Sequence, residues 1–412
     1  MVEQDKKTSF PKSKIEIVLL EGIHALAVET FRKETFSVDL HPKKALGEEL
    51  ARMLETAHVV GIRSGTKMTR EALASPRRLL AVGCFCIGTD QVDLEEASKL
   101  GIPVFNAPYA STRSVAEMVI AEAVMLLRRT FQKSSSVHAG DWPKTAEKSF
   151  ELRGKTLGII GYGHIGSQVS VLAESMGMQV IYHDTADVMP LGNAKKADGL
   201  HGLLENCDVA TLHVPADETT LDMIDAEALT HMRPDSYLIN ASRGSVVVID
   251  ALAQALEEGR VGGAAVDVFP KEPASPKHPF TSPLQGMSNV ILTPHVGGST
   301  LEAQASIARD VAHKLVRYVN NGSTSSAVNF PEVDLPVQGA PNRILHIHHN
   351  VPGVLTSVNG ILSKAGINIQ GQYLRTRNRI GYLVMDVDPK APAEVIEALS
   401  GLEQTIRIRQ LY

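Results

Sequence analysis

Arg243, Glu272 and His295 are the residues of this 412-residue chain whose types could act together on a small anionic molecule. Arg243 stands in Asn240-Ala-Ser-Arg-Gly244, Glu272 in Phe269-Pro-Lys-Glu272 and His295 in Thr293-Pro-His-Val-Gly-Gly298. A guanidinium offers a planar pair of donors that fits a carboxylate and polarises a neighbouring carbonyl oxygen. An imidazole titrates where it can take or return a hydroxyl proton near neutral pH. A carboxylate beside that imidazole orients it and stabilises its charged form. Hydride transfer to or from a 2-hydroxy acid needs these three groups and a hydride carrier.

The carrier's site is legible in Gly161-Tyr-Gly163-His-Ile-Gly166. The apolar, β-branched run Thr156–Ile160 precedes it, and Ile165, Val169, Leu172 and Met176 follow at helical spacing. Gly161 permits the tight turn, Gly163 lets the backbone approach a pyrophosphate, and Gly166 allows close helix–strand packing. The helix start offers unpaired N–H groups and partial positive charge to phosphates. Asp184 ends the next strand and can accept the hydroxyls of an adenosine ribose, where a 2′-phosphate would meet like charge. No basic residue follows until Lys195, so NAD is expected over NADP.

Those residues must be placed by strands. Apolar runs at Thr156–Ile160, Gln179–His183, Val209–Val214, Ser236–Asn240, Gly263–Val268 and Val290–Thr293 alternate with helical stretches. Six such strands make a doubly wound parallel sheet. Ligands of open parallel sheets sit at the carboxyl ends of the strands. Gly161, Asp184, Pro215, Arg243, Asp267 and His295 all lie there, a convergence independent of the glycine spacing.

Before it, strand-like runs at Ile15–Leu20, His58–Ile62, Leu79–Phe85 and Pro103–Phe105 alternate with helical segments, giving a first α/β unit. A long apolar helix is expected from about Ser114 to Arg129, and an irregular stretch from Ser134 to Leu152 holds the only tryptophan, Trp142, read as a packing or subunit contact. The helix Leu301–Val319 follows the last strand and is expected to return the chain to the first unit. The substrate-binding domain is then discontinuous, residues 1–110 and 299–335, with the nucleotide domain, 111–298, inserted. About 13 polar residues at the start are expected to fray, and Asn321–Pro341, rich in Gly, Ser and Pro, reads as a linker. Residues 342–412 read βαββαβ, a ferredoxin-like module.

Composition is that of an ordinary folded protein: net charge −5, 43% hydrophobic and 21% charged residues. Without a basic excess, neither nucleic acid nor an anionic membrane is expected as partner, and no apolar run has transmembrane length. Three cysteines make no disulfide framework and fit a reduced, cytoplasmic protein. Cys84 and Cys86 lack a matching pair for zinc, and His346, His348 and His349 lack further ligands, so no metal is expected.

The motifs Gly158–Gly166, Asn240–Gly244, Ala265–Pro273 and Leu292–Thr300 resemble those of NAD-dependent D-2-hydroxyacid dehydrogenases, with an ACT-like regulatory module at the end. The resemblance covers nearly the whole chain. It implies a flavodoxin-like substrate domain with an inserted Rossmann domain, and a tetrameric assembly. It places the catalytic set on Arg243, Glu272 and His295, with His295 as proton donor. Cofactor contacts fall on Gly161, Gly163, His164, Ile165, Gly166, Asp184, His213, Pro215, Ala241, Ser242, Arg243, Asp267, His295, Val296, Gly297 and Gly298, with Asp267 on the nicotinamide carboxamide.

With Arg63-Ser64, Phe85-Cys-Ile-Gly-Thr-Asp90 and Phe105-Asn-Ala-Pro108, the resemblance implies a phosphorylated substrate, (R)-3-phosphoglycerate. Arg63, Ser64 and backbone N–H groups would hold its phosphate, with Ser111 and Arg243 as further contacts. L-Serine would be the effector, held by His348, Asn350 and Asn368 across a pair of modules. Two alternatives remain open: a dehydrogenase of another 2-hydroxy acid, such as 2-hydroxyglutarate or the product of glyoxylate reduction, and an NAD-sensing corepressor-like protein.

Overall fold

The computed structural model describes residues 11–74, 78–273, 278–335 and 342–411. The first ten residues, where fraying was expected, lie outside these, as do residues 336–341 of the expected linker. The chain divides into two compact units, Met1–Ala110 with Gln304–Tyr412, and Ser111–Ala303.

The first unit holds a five-stranded sheet: β1 (Glu16–Leu19), β2 (Ser37–Leu40), β3 (Val59–Ile62), β4 (Ala81–Cys84) and β5 (Val104–Phe105). All pairings are parallel, in the order β2-β1-β3-β4-β5. That is the flavodoxin-like order. β3 and β4 are buried at every residue, because helices cover both faces of a parallel sheet and leave no polar side to alternate. The returning helix Leu301–Asn321 supplies part of this cover: Val311, Leu315, Tyr318 and Val319 join the core of Ile17, Leu19, Phe31 and Phe105. Gly83 makes room for it, since a Cβ there would lie 2.7 Å from Leu315 Cδ1.

The linker expectation fails for its first part. Thr324, Ala327, Phe330, Val333 and Leu335 are buried, and Ala327 forms an antiparallel bridge with Phe105. Polar composition misled here because tertiary hydrogen bonds satisfy the segment: Asn329 accepts from Val104 N–H (2.8 Å) and donates to Ile102 O (3.0 Å).

The same unit includes the terminal module. Its strands β13 (Arg343–His349), β14 (Asn368–Arg377), β15 (Ile380–Asp388) and β16 (Thr405–Leu411) form an antiparallel sheet, β14-β15-β13-β16. With helices Val354–Lys364 and Ala393–Ser400 between them, the order is βαββαβ. One face packs on those helices. The other joins the unit's main core through Leu345, Ile347, Tyr382 and Val384. Arg343 is buried and bidentate to Asp386 (2.6 and 2.8 Å), and its Nη1 donates to Asn321 O at the end of the long helix (3.0 Å).

The second unit holds a seven-stranded parallel sheet, one strand more than expected. It comprises β6 (Thr156–Ile160), β7 (Gln179–His183), β8 (Lys195–Lys196), β9 (Val209–Leu212), β10 (Tyr237–Asn240), β11 (Gly263–Val266) and β12 (Val290–Leu292). Their order, β12-β11-β10-β9-β6-β7-β8, reverses between β6 and β9, the switch point at which dinucleotides bind. Helix Thr112–Arg128 packs on this sheet through Val115, Val119, Ala123 and Leu126. The stretch after it is not all irregular: Thr130–His138 is helical, although no side chain in it is buried. Trp142 is 78% exposed.

Candidate active site

The glycine turn leaves β6 under tight constraint. Gly161 has φ +90°, and a Cβ there would lie 2.5 Å from His213 O; at Gly166 it would lie 2.2 Å from Gly161 O. Gly163 meets nothing within 4 Å. So two glycines are demanded by the fold, and the middle one leaves open backbone where a pyrophosphate fits. His164 and Ile165 begin the helix His164–Ser175 there, with its free N–H groups. Asp184 accepts from Tyr162 N–H (2.7 Å) and Ala186 N–H (2.8 Å). It therefore shapes the glycine turn while keeping lone pairs for a ribose.

Across the switch point, His213 and Pro215 follow β9. Thr211 Oγ1 lies 3.1 Å from His213 Nε2. Nδ1 is shut off from solvent without a partner among the described residues. Burial pushes its pKa down to about 3, so the ring is neutral at working pH.

The next turn carries Arg243. Asn240, buried at the end of β10, accepts from Ser242 N–H (3.1 Å) and Ser242 Oγ (2.9 Å) and donates to Arg243 O (3.1 Å). Ala241 and Ser242 are thereby folded into a tight corner, and Arg243 Nη1 donates to Ser242 O (2.8 Å). Gly244 follows, where a Cβ would lie 2.0 Å from the Phe269 carbonyl carbon and 2.4 Å from Pro270 N. The segment bearing Glu272 crosses directly against the segment bearing Arg243.

Glu272 reaches His295 with both oxygens, at 2.9 and 3.0 Å from Nδ1, and accepts from Phe269 N–H (3.3 Å). That hydrogen bond raises His295 above the ordinary imidazole value; burial opposes the rise, the charges of Glu272 and Asp267 add to it, and Arg243 reduces it. For Glu272, burial pushes upward but is outweighed by the His295 hydrogen bond and charge, the Phe269 N–H and Arg243, so its carboxyl stays below the usual range. With Nδ1 on the carboxylate, Nε2 is the nitrogen presented to a reactant. Arg243 bears on the charge of both partners.

Asp267 organises the turn that carries His295. Its carboxylate is buried and accepts from Thr293 Oγ1 (2.6 Å), Val296 N–H (2.8 Å) and Gly297 N–H (2.9 Å), while its carbonyl accepts from His295 N–H (2.8 Å). Three of these bonds pin the His295–Gly298 loop, the fourth anchors Thr293 before it, and His295 is held in a left-handed backbone conformation, φ +56°. Beneath that loop lies helix Thr112–Arg128: a Cβ at Gly297 would be 3.2 Å from Met118 Cε. Ser111, just before the helix, is buried beside Gly298, with its hydroxyl lacking a partner among the described residues.

One turn beyond Met118 stands Glu122, 1% exposed, both oxygens without a partner among the described residues. Burial, with the Asp267 charge adding, raises its carboxyl to about 8, so it is neutral at pH 7. Sequence reading missed it. The available signal was a single acid at the spacing of the apolar stripe Val115, Met118, Glu122, Met125.

In the first unit, Arg63 and Ser64 follow β3. The phosphate cradle expected there is corrected in one respect: the N–H groups of Arg63 (3.0 Å), Gly65 (2.8 Å) and Thr66 (2.9 Å) are already taken by the Glu21 carboxylate. The guanidinium of Arg63 and the hydroxyl of Ser64 remain for an anion. In the module, His348 and Asn350 stand at the β14–β15 hairpin end of the sheet, with Asn350 donating to Asn378 O (3.1 Å). Asn368 begins β14 and pairs with Asp388, nine residues from the hairpin end and so about 30 Å away. A single chain does not bring the three together.

The sheet order and turn agree with what the chain is similar to. Residues 120–297 match the D-isomer specific 2-hydroxyacid dehydrogenase NAD binding domain, and residues 344–407 an ACT domain of the AHAS small subunit-like kind. The chain is 50% identical over 407 residues to D-3-phosphoglycerate dehydrogenase of Haemophilus influenzae, covering 98% of this chain and 99% of the relative. Identity to the protein of that name in Escherichia coli K12 is 49% over 409 residues, 98% of this chain and all of the other. Among solved structures, D-lactate dehydrogenase of Aquifex aeolicus with NAD and lactic acid superposes with a TM-score of 0.66 at 28% identity, over 74% of this chain and 96% of that one. A nucleotide domain that binds NAD, a terminal ACT-like module and near-complete coverage at about half identity leave one placement: the chain belongs to the D-isomer specific 2-hydroxyacid dehydrogenase family, among its D-3-phosphoglycerate dehydrogenases.

Proposed function

We propose that the chain oxidises (R)-3-phosphoglycerate to 3-phosphohydroxypyruvate, the entry step to L-serine, and catalyses the reverse reduction. The names of its relatives support the substrate. The observation that carries the chemistry is the His295–Glu272 pair beside the Arg243 turn. Arg243 binds the substrate carboxylate and draws charge from the reacting oxygen. His295, neutral on Nε2, removes the hydroxyl proton, and Glu272 stabilises the imidazolium that results. The glycine turn and Asp184 would hold NAD, which would supply the hydride acceptor for the hydroxyl-bearing carbon. In reduction His295 returns the proton. Asp267 keeps the His295 loop in place, and Ser111 adds a hydrogen bond near Gly298.

Arg63 and Ser64 hold the phosphate. Arg63→Ala removes a charged hydrogen bond worth on the order of 10–100-fold, so KM for 3-phosphoglycerate should rise by about that factor while an unphosphorylated 2-oxo acid is barely affected. Steady-state kinetics with both substrates decides it; equal losses would remove the phosphate assignment.

L-Serine is the proposed effector, bound between two modules by His348 and Asn350 of one copy and Asn368 of another. Two features support this. The outer strand β14 is largely exposed, and His348, buried over Gly381, has an Nε2 without a partner among the described residues. Burial lowers the pKa of His348, which suits a neutral ligand-facing ring. A homotetramer in the cytoplasm follows from the same reading; among the described residues no helix is long and apolar enough to cross a membrane. Removing the module would strip Leu345, Ile347 and Tyr382 from the unit's core, so single substitutions are the better test. Asn350→Ala should keep turnover and lose serine inhibition; full inhibition in that variant would refute the site.

A further inference from the structure

The second unit carries a cluster that the reaction does not use. Helix Gly199–Glu205 leads into the start of β9, and helix Ala226–Thr230 into the start of β10. His201 and Glu205 on the first helix, Glu227 on the second and His231 just after it thus belong to the edge of the sheet opposite the strand ends that form the active site. The rings of His201 and His231 stack with centroids 3.9 Å apart and planes 14° from parallel. One ligand atom from each of His201, Glu227 and His231 lies within 4.8 Å of the others. Glu205 Oε1 lies 2.7 Å from His231 Nδ1.

We propose that His201, His231 and Glu227 bind one divalent ion of the zinc class, with Glu205 orienting His231. Two imidazoles and one carboxylate are a ligand set for Zn²⁺, Co²⁺ or Ni²⁺. Mg²⁺ and Ca²⁺ prefer oxygen ligands and do not match it. A carboxylate on the far nitrogen of a ligating histidine fixes its tautomer and raises its basicity. Here Glu205 takes Nδ1 and leaves Nε2 for the ion. Zinc bonds of about 2.0–2.1 Å in a tetrahedron place ligand atoms roughly 3.3 Å apart. The ligand atoms must draw together and the stacked rings turn toward one point, movements open to the exposed His201 and Glu227. Water completes the shell.

The test is calorimetric titration of the chelator-treated full chain with ZnCl₂ at pH 7.5, repeated on His201→Gln, His231→Gln and Glu205→Gln. A site lost in both histidine variants is expected, together with about 10–100-fold weaker binding in Glu205→Gln. His295→Asn, which removes a separate histidine–carboxylate pair, should keep this site. MgCl₂ should give no heat at it. Turnover of the His201, His231 and Glu205 variants, and far-UV circular dichroism of all four variants, without metal, check that the fold is intact. Zinc binding of equal stoichiometry and strength in wild type and both histidine variants, or no zinc uptake by the wild type, would overturn the proposal.

Discussion

His295→Asn is expected to lower kcat by roughly 10²–10⁴-fold while leaving NADH binding, measured by fluorescence, nearly unchanged. Asparagine still donates a hydrogen bond but cannot carry a proton between substrate and solvent. The companion variant Glu272→Gln reads out the pairing. In the wild type the Glu272 hydrogen bond and charge raise the His295 pKa. Oxidation needs the neutral imidazole, so its rate rises with pH through that raised pKa. Reduction needs the imidazolium and falls over the same range. Replacing Glu272 removes the elevating partner and should shift both limbs to lower pH. Near-wild-type turnover in His295→Asn, or unshifted limbs in Glu272→Gln, would defeat the mechanism.

Glu122→Gln should make stability less dependent on pH. The folded state holds this carboxyl neutral up to about 8, whereas the ordinary value is 4.5. Between those limits the folded state binds a proton that the unfolded chain has released, so stability declines as pH rises through the window and levels off above it. Each unit of displacement is about 1.36 kcal/mol, so the wild type should lose on the order of 3–5 kcal/mol from this group between pH 4.5 and pH 9. Glutamine carries no such slope, though its amide keeps a pH-independent burial cost. Thermal or urea unfolding of both proteins at pH 5.5 and 8.5, compared as a difference of differences, measures it. Parallel pH dependences would show that Glu122 is not held neutral.

The parts of the molecule legible in the sequence share a physical cause. Strand-end residues were found because apolar β-branched runs announce parallel strands, and chain order alone tells which end is the carboxyl end. The glycine turn was found because steric demand at Gly161 and Gly166 leaves no other residue type. What escaped was held by long-range contacts. Glu21 reaches across 42 to 45 positions to occupy the Arg63–Thr66 turn, and nothing local at Glu21 signals it. The burial of Thr324–Leu335 depends on Val104, Ile102 and Phe105 receiving it. The helix Thr130–His138 was missed because three serines and a threonine lower helix propensity and no apolar face is buried to mark it. Asp267 was recognised as a polar strand end, but its grip on Thr293, Val296 and Gly297 shows only in three dimensions.

The missing side chain at Gly244 bears on how this enzyme can be altered. Because Phe269 and Pro270 lie against the bare Cα of residue 244, the segments bearing Arg243 and Glu272 behave as one interlocked part. Neither can be re-aimed alone, and a library that varies 240–244 independently of 268–273 would yield mostly inactive clones. On the proposed phosphate assignment, a designer wanting a different hydroxy acid should leave that joint untouched and diversify Arg63 and Ser64, on a turn already braced by Glu21. Chemistry and choice of substrate then become separately heritable traits of one chain.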